Sequence, residues 1–277
     1  MKIALTGGTG YIGSVVLQQL VAAGHAVTAL VRSDEAAAKV RKAGAEAAVG
    51  DLYDTAWTAR LFAAADGVVH TAAPGDGSSE QFDRAVVAAA VEALAGTGKP
   101  YVHTSGVWLY GSNDAITEDA PFAPPALTAW RPGVERSVLD ADLVATIVTP
   151  GIVYGHGGGI PAGVLAPGDG EVRLVGDGSQ HWTTVHVEDV AALYVTVVER
   201  GERLGHVLAV SGVNPTVREI AEATGAAVVP ETAEESRARL GALFADALLL
   251  DQQATGAKAR SLGWSPTRPT LLDELKG

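Results

Sequence analysis

The apolar positions in the first 150 residues follow two alternating patterns. Short apolar runs that stop at turn residues, such as residues 2–6, predict buried strands. Between these runs apolar residues recur at helical spacing, as Val15, Val16 and Leu20 do within residues 11–23. The predicted strands are residues 2–6, 25–32, 45–49, 66–70, 100–105 and 143–149, and the predicted helices are residues 11–23, 36–43, 55–64 and 80–94. Strands that alternate with helices in this way predict a parallel sheet built from right-handed crossovers.

A cluster of glycines follows the first predicted strand directly. In Thr6-Gly7-Gly8-Thr9-Gly10-Tyr11-Ile12-Gly13, Gly7 would allow the tight turn, Gly10 would let the backbone approach a pyrophosphate, and Gly13 would let helix and strand pack closely. The phosphates would lie at the amino end of the helix at residues 11–23, where free N–H groups and the dipole favour negative charge. The cluster predicts a dinucleotide-binding site in a doubly wound α/β fold, a parallel-sheet Rossmann domain.

The pattern changes after Pro150. Residues 155–170 are rich in glycine and proline, which favours a loop over a site rather than a packed element. Residues 188–200 return to helical periodicity. Further helices are predicted at residues 216–224, 232–243 and 252–262.

These patterns divide the chain into two parts. Residues 1–154 would form the Rossmann core, and residues 155–277 would form mainly a small C-terminal substrate lobe. Residues 184–201 would pack back on the core. We therefore expect two interwoven parts rather than two domains joined at one clean linker.

The composition narrows the classes of function. The 277-residue chain has a formal net charge of -12 at pH 7, which argues against binding to nucleic acid and to an anionic membrane surface. It has no cysteine, which excludes disulfides, thiolate catalysis and cysteine-based metal sites, and we predict no metal site. No apolar stretch reaches the about 18–20 residues of a membrane span, and the first residues do not form a signal peptide. We expect a cytoplasmic protein that acts on a small molecule, with its oligomeric state open.

The end of the second predicted strand favours NADP(H) over NAD(H). A site for NAD(H) places an acidic residue there to bind the ribose hydroxyls. This chain has Arg32 followed by Ser33, and an arginine suits a 2′-phosphate through charge-assisted hydrogen bonds. Asp34 lies close enough in sequence to keep NAD(H) open as the alternative.

Further motifs follow the later strands, and together they make the whole chain similar to one enzyme family. They are Gly50-Asp51-Leu52, His70-Thr71-Ala72-Ala73, Thr149-Pro150-Gly151-Ile152-Val153-Tyr154-Gly155, Val185-His186-Val187-Glu188-Asp189-Val190-Ala191 and Leu262-Gly263-Trp264-Ser265-Pro266. With the glycine cluster, they resemble the extended short-chain dehydrogenase/reductases, the epimerase/dehydratase group. The resemblance implies an enzyme that uses a nicotinamide cofactor.

The resemblance also implies roles for individual residues. Asp51 and Leu52 would hold the adenine, and Pro150 to Val153 would face the nicotinamide. A helix cap remains the alternative for Asp51, and a packed core position the alternative for His70. The full predicted cofactor-binding set is Gly7, Thr9, Gly10, Tyr11, Ile12, Gly13, Arg32, Ser33, Asp51, Leu52, Thr71, Ala72, Ala73, Thr104, Arg131, Pro150, Gly151 and Val153.

The proton-transfer pair of this family is missing. In the family a Tyr passes the proton, and a Lys four residues later lowers the pKa of that Tyr. None of the six tyrosines in this chain is followed four residues later by a lysine. An alignment on Glu135 places Arg131 at the Lys position and Leu127 at the Tyr position. Arginine does not deprotonate in proteins, and leucine has no proton to donate.

The serine that polarises the substrate carbonyl in the family is displaced as well. An alignment on Tyr110-Gly111 places Gly106 at its position, one residue after Ser105. Ser105 is therefore the candidate catalytic residue, although its register differs from that of the family.

The predicted substrate contacts are mostly aromatic. They are Trp108, Tyr110, Tyr154, His181 and Trp182. Aromatic faces suit a flat aromatic ligand, and packing in a core or lid remains the alternative. His181 could hydrogen-bond the substrate or act as a surrogate acid, with a solvated loop histidine as the alternative. Residues 155–170 contain no basic residue, which disfavours a nucleotide-sugar diphosphate.

Three functions remain open at this point. The preferred hypothesis is an atypical NADPH-dependent ketoreductase, similar to the Tyr-less ketoreductases that tailor aromatic polyketides in antibiotic biosynthesis. The proton would come from Ser105, from water or from a hydroxyl of the substrate. The alternatives are a nucleotide-sugar epimerase/dehydratase and a non-catalytic NADP(H)-binding regulator.

Overall fold

The computed structural model describes residues 1–276 of the chain. These residues form two compact units that alternate along the sequence. The first unit comprises Met1–Ser105, Trp130–Val148 and Ala191–Val207, and the second comprises Gly106–Ala129, Thr149–Val190 and, among the described residues, 208–276. The predicted domain boundary at residue 154 stays a prediction.

Strands and helices alternate through the first half of the chain. The strands are β1 (Lys2–Thr6), β2 (Ala26–Val31), β3 (Glu46–Val49), β4 (Gly67–His70), β5 (Pro100–Thr104), β6 (Asn113–Ile116), β7 (Val144–Pro150), β8 (Ile152–Gly155), β9 (Glu171–Arg173), β10 (Thr184–His186), β11 (Gly205–Ala209), β12 (Ala227–Val229) and β13 (Gln252–Ala254). The helices are α1 (Tyr11–Ala22), α2 (Asp34–Lys42), α3 (Thr55–Ala63), α4 (Ser79–Leu94), α5 (Arg131–Asp140), α6 (Gly159–Val164), α7 (Val187–Arg200), α8 (Val217–Ala223), α9 (Ala233–Leu240), α10 (Ala242–Leu248), α11 (Ala257–Ser261) and α12 (Leu271–Lys276).

The first unit is built on a seven-stranded sheet with the order β11-β7-β5-β4-β1-β2-β3. The pairings of β1 with β2 and β4, of β2 with β3, and of β5 with β4 and β7 are parallel. The strand order reverses direction between β1 and β4, which is the switch point where ligands bind in open α/β sheets. The predicted doubly wound fold is confirmed.

Side chains from α3, α4 and α5 cover one face of this sheet. Phe62, Val86 and Val134 are fully buried there together with Val68 of β4 and Tyr101 of β5. Because this layer is closed to solvent, burying a polar group in it costs free energy unless that group has a hydrogen-bond partner. Two acidic residues, Asp83 on α4 and Glu135 on α5, are nevertheless buried on these helices.

The second unit is made of short elements. Its paired strands are β8 with β10, β9 with β12, and β6 with β13. Capping boxes start two of its helices, with Thr216 and Glu219 at α8 and Thr232 and Glu235 at α9. Each box satisfies backbone N–H groups at the helix start.

The predicted elements of the first 150 residues are confirmed to within two residues at either end. Three predictions in the second half are wrong. Residues 155–170 contain α6, which packs on β8. The helix predicted at residues 232–243 stops at Leu240 because Gly241 has a φ of 83°, and α10 then starts anew. The helix predicted at residues 252–262 is β13 followed by α11.

No helix in the described part of the chain combines the length and apolarity that a membrane span requires.

Candidate active site

The glycine turn after β1 holds α1 against the sheet. Gly7 has a φ of +79°, and a Cβ on it would lie 2.6 Å from the backbone nitrogen of Ala72. A Cβ on Gly13 would lie 2.1 Å from the carbonyl oxygen of Gly7. Real Cβ atoms do not approach backbone so closely, so both positions require glycine. The predicted roles of Gly7 in the turn and Gly13 in close packing agree with this geometry.

A cleft of about 460 Å³ opens beside this turn. It lies at the amino end of α1, whose first turn carries no acidic residue and whose N-cap, Gly10, has no side-chain hydrogen bond. Backbone N–H groups and the helix dipole there suit a pyrophosphate. The cleft is lined by Gly7, Thr9, Gly10, Tyr11, Ile12, Gly13, Leu30, Val31, Arg32, Ser33, Ala36, Leu52, Thr71, Ala72, Ala73, Pro74 and Phe82.

The cleft brings together most of the predicted cofactor residues of the first unit. Asp51 is outside this lining, and its Oδ1 accepts a hydrogen bond from the backbone N–H of Tyr53 at 2.9 Å. Sequence reasoning missed five residues that line the cleft, namely Leu30, Val31, Ala36, Pro74 and Phe82. Phe82 lies on α4, and its helical periodicity alone gave no sign that it would reach the cofactor.

Arg32 and Ser33 lie together at one end of the cleft. The Ser33 hydroxyl caps α2 by accepting a hydrogen bond from the N–H of Ala36 at 3.2 Å. Arg32 is exposed. The pKa of Asp76 is lowered mainly by hydrogen bonds from Ser78 and also by Arg32, so the guanidinium lies within electrostatic reach of the loop after β4. The cleft thus ends in an exposed cation beside a helix start.

At the carboxyl end of β5, Thr104 organises three neighbours. Its hydroxyl donates to the carbonyl oxygen of His70 at 2.6 Å, and its carbonyl oxygen accepts from Arg131 at 3.2 Å. The Tyr194 hydroxyl is 2.6 Å from the Thr104 Oγ1. Because the Thr104 proton is directed to His70, Tyr194 donates here. Tyr194 is fully buried, which raises its pKa, so it does not replace the missing tyrosine.

Ser105 directly follows the last residue of β5. Ser105 is 6% exposed, and its Oγ is enclosed with no hydrogen-bond partner of normal geometry among residues 1–276. It faces Glu135 on α5, since the hydroxyl lowers the pKa of that carboxyl group. Ser105 therefore points into the protein rather than into the cleft. Its catalytic role stays a prediction, and it would require rotation of the side chain.

Glu135 is a buried acid at this end of the sheet. It is 1% exposed, and neither carboxylate oxygen forms a hydrogen bond of normal geometry within the described chain. Burial raises the pKa of Glu135 to about 7, against the lowering effects of Ser105 and Arg131. The Nε2 of His206 on β11 is 3.7 Å from its Oε2. Sequence reasoning used Glu135 only as an alignment anchor, because helical spacing does not show an acid to be buried.

From the raised pKa of Glu135 we predict how the free energy of unfolding depends on pH. Between pH 4.5 and 7 the folded chain keeps the Glu135 proton that the unfolded chain releases, so this group lowers stability as the pH rises. A Glu135→Gln variant is expected to be more stable than the wild type by about 3 kcal/mol at pH 8 and nearly equal to it at pH 4. Urea unfolding at both pH values measures this difference. The exposed Glu92→Gln change on α4 is the control, and equal stability of Glu135→Gln and wild type at pH 8 contradicts the assignment.

A second set of buried polar side chains comes from β1, β4, α4 and β5. Nδ1 of His70 is 2.6 Å from the hydroxyl of Thr6, and its Nε2 is 3.3 Å from Oδ1 of Asp83. Nδ1 of His103 is 3.1 Å from the hydroxyl of Tyr101, and its Nε2 is 3.9 Å from Oδ2 of Asp83. Burial pushes the pKa of Asp83 up, but the hydrogen bond from His70 and nearby cations hold it below its usual value. This chain of polar side chains ties α4 to the sheet beside the cleft.

The helix α5 begins at Arg131, which the alignment on Glu135 predicts to stand at the position of the family lysine. Its guanidinium carbon lies 4.8 Å from the centre of the Trp130 ring, so a cation–π contact and the Thr104 carbonyl hold it. Leu127 belongs to the 3-10 turn Ala126–Thr128 just before α5. Its correspondence to the family tyrosine stays a prediction.

In the second unit, three of the five predicted substrate residues are core residues. Tyr110 is buried, Tyr154 donates its hydroxyl proton to the carbonyl oxygen of Pro269 at 2.6 Å, and Trp182 donates its Nε1–H to the carbonyl oxygen of Leu248 at 2.9 Å. Their hydrogen bonds and burial give them a packing role. Contact with a substrate stays a prediction for them.

Trp108 and His181 keep part of their surface exposed. The Trp108 ring packs edge-on against Phe244 with centroids 6.0 Å apart. Oδ1 of Asp251 accepts from the backbone N–H of His181 and lies 2.9 Å from its Nδ1. A carboxylate at Nδ1 holds the imidazole in one orientation. His181 is thus an oriented side chain rather than a solvated loop residue.

The predicted nicotinamide-facing residues lie at the start of the second unit. Gly151 donates its N–H to the carbonyl oxygen of Ala209 at 3.1 Å, and a Cβ on it would lie 2.4 Å from the carbonyl oxygen of Thr183. Pro150 ends β7, and Val153 is buried in β8. Their contact with a nicotinamide stays a prediction.

The sheet and the glycine-turn cleft define a Rossmann-type nucleotide-binding protein. Residues 3–210 match the NAD dependent epimerase/dehydratase family, and the chain belongs to this family of NAD(P)-dependent oxidoreductases, epimerases and dehydratases. The resemblance to the extended short-chain dehydrogenase/reductases is therefore confirmed.

Two relatives illustrate the range of similarity. An uncharacterized protein of Schizosaccharomyces pombe is 33% identical over 302 residues, which cover 99% of this chain and 98% of that protein. The 4-hydroxy-2-methyl-3-oxo-4-farnesyl-3,4-dihydroquinoline-1-oxide ketoreductase of Stigmatella aurantiaca is 29% identical over 73% of this chain and 65% of its own length.

Two solved structures share the fold over the full chain. The UDP-glucose 4-epimerase of Thermus thermophilus in complex with NAD has a TM-score of 0.77 at 22% identity, covering 100% of this chain and 99% of that one. The human epimerase family protein SDR39U1 (isoform 2) with NADPH has a TM-score of 0.75 at 24% identity, covering 100% and 98%. Neighbours with this fold thus bind NAD or NADPH.

Proposed function

We propose that the chain is an NADPH-dependent reductase that converts the ketone of a small, aromatic substrate into an alcohol. The observation that carries this proposal is the combination of a well-formed nucleotide cleft with a lost proton-transfer pair. The alignments on Glu135 and on Tyr110-Gly111 put Leu127 and Gly106 at the positions of the family tyrosine and serine, and Ser105 is buried. Reduction needs only a proton for the newly formed alkoxide. Epimerisation and dehydration need a base that removes a proton, which this chain lacks at those positions.

The size of the two effects supports a reductase without that pair. A nicotinamide bound in the cleft would supply the hydride. Holding two reactants in a productive orientation can account for about 7–11 kcal/mol of a barrier, whereas a general acid contributes about 10²–10⁴-fold. Positioning therefore lowers the barrier more than the general acid does. Arg131, fixed by Thr104 and Trp130, adds a permanent positive charge at the carboxyl end of β5 that would stabilise the alkoxide.

The substrate class rests on two supports. The Stigmatella aurantiaca relative is named as the ketoreductase of a 3-oxo-dihydroquinoline oxide. In this chain Trp108 offers a partly exposed ring, and His181, held by Asp251, offers a hydrogen-bonding nitrogen. An aromatic ring and a hydrogen-bonding nitrogen suit a flat ketone that carries a hydroxyl group, which is the substrate class that we infer. Such a substrate is typical of aromatic polyketide tailoring.

Arg32 supports NADPH as the cofactor, and it yields a prediction. Loss of charge-assisted hydrogen bonds to the 2′-phosphate should weaken NADPH binding by Arg32→Ala about 10- to 100-fold, while NADH binding stays nearly unchanged. Titrations of both nucleotides followed by nicotinamide fluorescence measure this. Arg41→Ala, an exposed change on α2, is the control. An equal loss for both nucleotides would mean that Arg32 does not read the 2′-phosphate.

The proposed reaction is tested by product analysis with NADPH and two sets of compounds. One set pairs aromatic ketones that carry a neighbouring phenol with the same ketones lacking it, and the other contains nucleotide sugars. We expect one alcohol formed for each NADPH consumed. Interconversion of a nucleotide sugar without net consumption of cofactor would instead establish an epimerase. Tight NADPH binding without turnover of either set would favour a regulator.

A further inference from the structure

The buried Glu135 carboxyl group is the feature that the cofactor cleft and the fold leave unexplained. It is 1% exposed and lacks normal hydrogen bonds to both oxygens within residues 1–276. Burying such a group costs free energy unless it is neutral or paired. A buried acid next to a reaction site is often held there for proton transfer.

Charged and polar groups reach Glu135 from every element around it. Ser105 approaches from the end of β5, Arg131 from the preceding turn of α5, Asp83 from α4, and His206 from β11. Arg131 and Ser105 favour the ionised form of the carboxyl group, whereas Asp83 and the dominant effect of burial favour the protonated form. The balance keeps a proton on Glu135 up to about neutral pH.

Ser105 and His206 are the two neighbours of this carboxyl group that can pass a proton to or from it. His206 has 9% of its side chain exposed and belongs to β11, an edge strand of the sheet. Ser105 is followed by Gly106, where an added Cβ would meet no atom within 4 Å. The transfer proposed below requires a rotation about the Cα–Cβ bond of Ser105 that turns its hydroxyl away from Glu135.

We propose that Glu135 supplies the proton for ketone reduction through Ser105 and is reprotonated through His206. This inference rests on the proposed reductase function. The carbonyl carbon receives the hydride from the nicotinamide, and the carbonyl oxygen takes the hydroxyl proton of Ser105. Ser105 takes the carboxyl proton of Glu135, which leaves a carboxylate. His206 donates its proton to that carboxylate and regains one from solvent, so the enzyme returns to its starting state with one proton consumed.

The kinetic test uses Glu135→Gln in the full-length protein with NADPH and a ketone that the wild type reduces. We expect kcat to fall about 10²- to 10⁴-fold, with a smaller loss for Glu135→Asp. In the wild type kcat should decrease tenfold per pH unit above about pH 7, because the protonated form of Glu135 is the active one. This decrease should be absent in Glu135→Gln. The exposed Glu92→Gln change should leave both rate and pH profile unchanged.

The His206→Gln variant tests whether His206 reprotonates Glu135. Its kcat should be low in dilute buffer and should recover when imidazole is added, because a small proton donor can replace the missing side chain. A purely structural role for His206 would show no recovery. Full activity and an unchanged pH profile in Glu135→Gln, in a protein that reduces ketones, would overturn the inference.

Infrared difference spectra separate this inference from the proposed function. A protonated carboxyl band should be present in the wild type at pH 6, be lost by pH 8, and be absent from Glu135→Gln. This readout needs no turnover. Absence of ketone reduction by the wild type would refute the proposed function. Absence of the carboxyl band would refute the inference that Glu135 holds the transferred proton, whatever reaction the protein catalyses.

Discussion

Acidification from pH 7 to pH 4 is expected to destabilise the folded chain by about 3 kcal/mol through His103 alone. His103 is 1% exposed, and burial lowers its pKa to about 3, although Asp83 opposes that effect. Between pH 6.5 and 3 the unfolded chain therefore binds a proton on this residue that the folded chain does not. The contribution of neutral His103 to the free energy of unfolding is fully present above pH 6.5 and is lost as the pH falls towards 3. Since domains are stable by only about 5–15 kcal/mol, the loss is large.

Urea unfolding of wild type and His103→Gln at pH 7 and pH 4 measures this effect. The wild type should lose about 3 kcal/mol more than the variant over this interval. Tyr101→Phe is the matched control, because it removes the hydrogen bond to Nδ1 of His103 but keeps the imidazole. It should cost about 1–3 kcal/mol at pH 7 and retain the acid sensitivity. An acid sensitivity in His103→Gln equal to that of the wild type would assign the effect to other groups.

The second large effect is expected at the glycine turn. In Gly13→Ala the new Cβ would lie 2.1 Å from the carbonyl oxygen of Gly7 and 2.5 Å from Oγ1 of Thr71. Backbone cannot be compressed that far, so α1 must move away from β1 and carry its amino end out of place. Overpacking of this kind costs about 1–3 kcal/mol or more. We expect the dissociation constant for NADPH to rise between tenfold and roughly 100-fold.

Calorimetric titration with NADPH gives the affinity, and thermal unfolding shows whether the fold survives. Gly77→Ala is the control, because a Cβ there would meet no atom within 4 Å, and its affinity should equal that of the wild type. Unchanged NADPH binding by Gly13→Ala would mean that the cleft at the amino end of α1 is not the phosphate site.

The parallel sheet and the glycine turn were predictable because they depend on local patterns. Apolar runs, helical spacing and the position of Gly7 between a strand and a helix each need only a few neighbouring residues. The same local reasoning failed at Gly241, where a single positive φ divides one predicted helix into two. It failed at β13 because Gln252 and Ala254 pair with β6, far away in sequence.

The cluster of Glu135, Ser105 and His206 could not be predicted, because it also depends on contacts between residues far apart in sequence. Glu135, Ser105 and His206 are separated by 30 residues or more in sequence from one to the next, and only the folded sheet brings them together. Burial, not residue type, gives Glu135 its raised pKa. The sequence also did not show that Trp182 donates a hydrogen bond to a backbone carbonyl in the core, and its contact with substrate stays a prediction. Loop position in the sequence does not show which way a side chain points.

Transfer of deuterium from NADPH deuterated at the transferable position is the most direct test of the central claim, that this chain reduces ketones. Mass spectrometry of the products from the paired ketones and the nucleotide sugars locates the label. We expect one deuterium on the carbinol carbon of an aromatic alcohol, with an equal amount of NADP⁺ formed. Label that stays on the nucleotide while a nucleotide sugar changes configuration would contradict this claim.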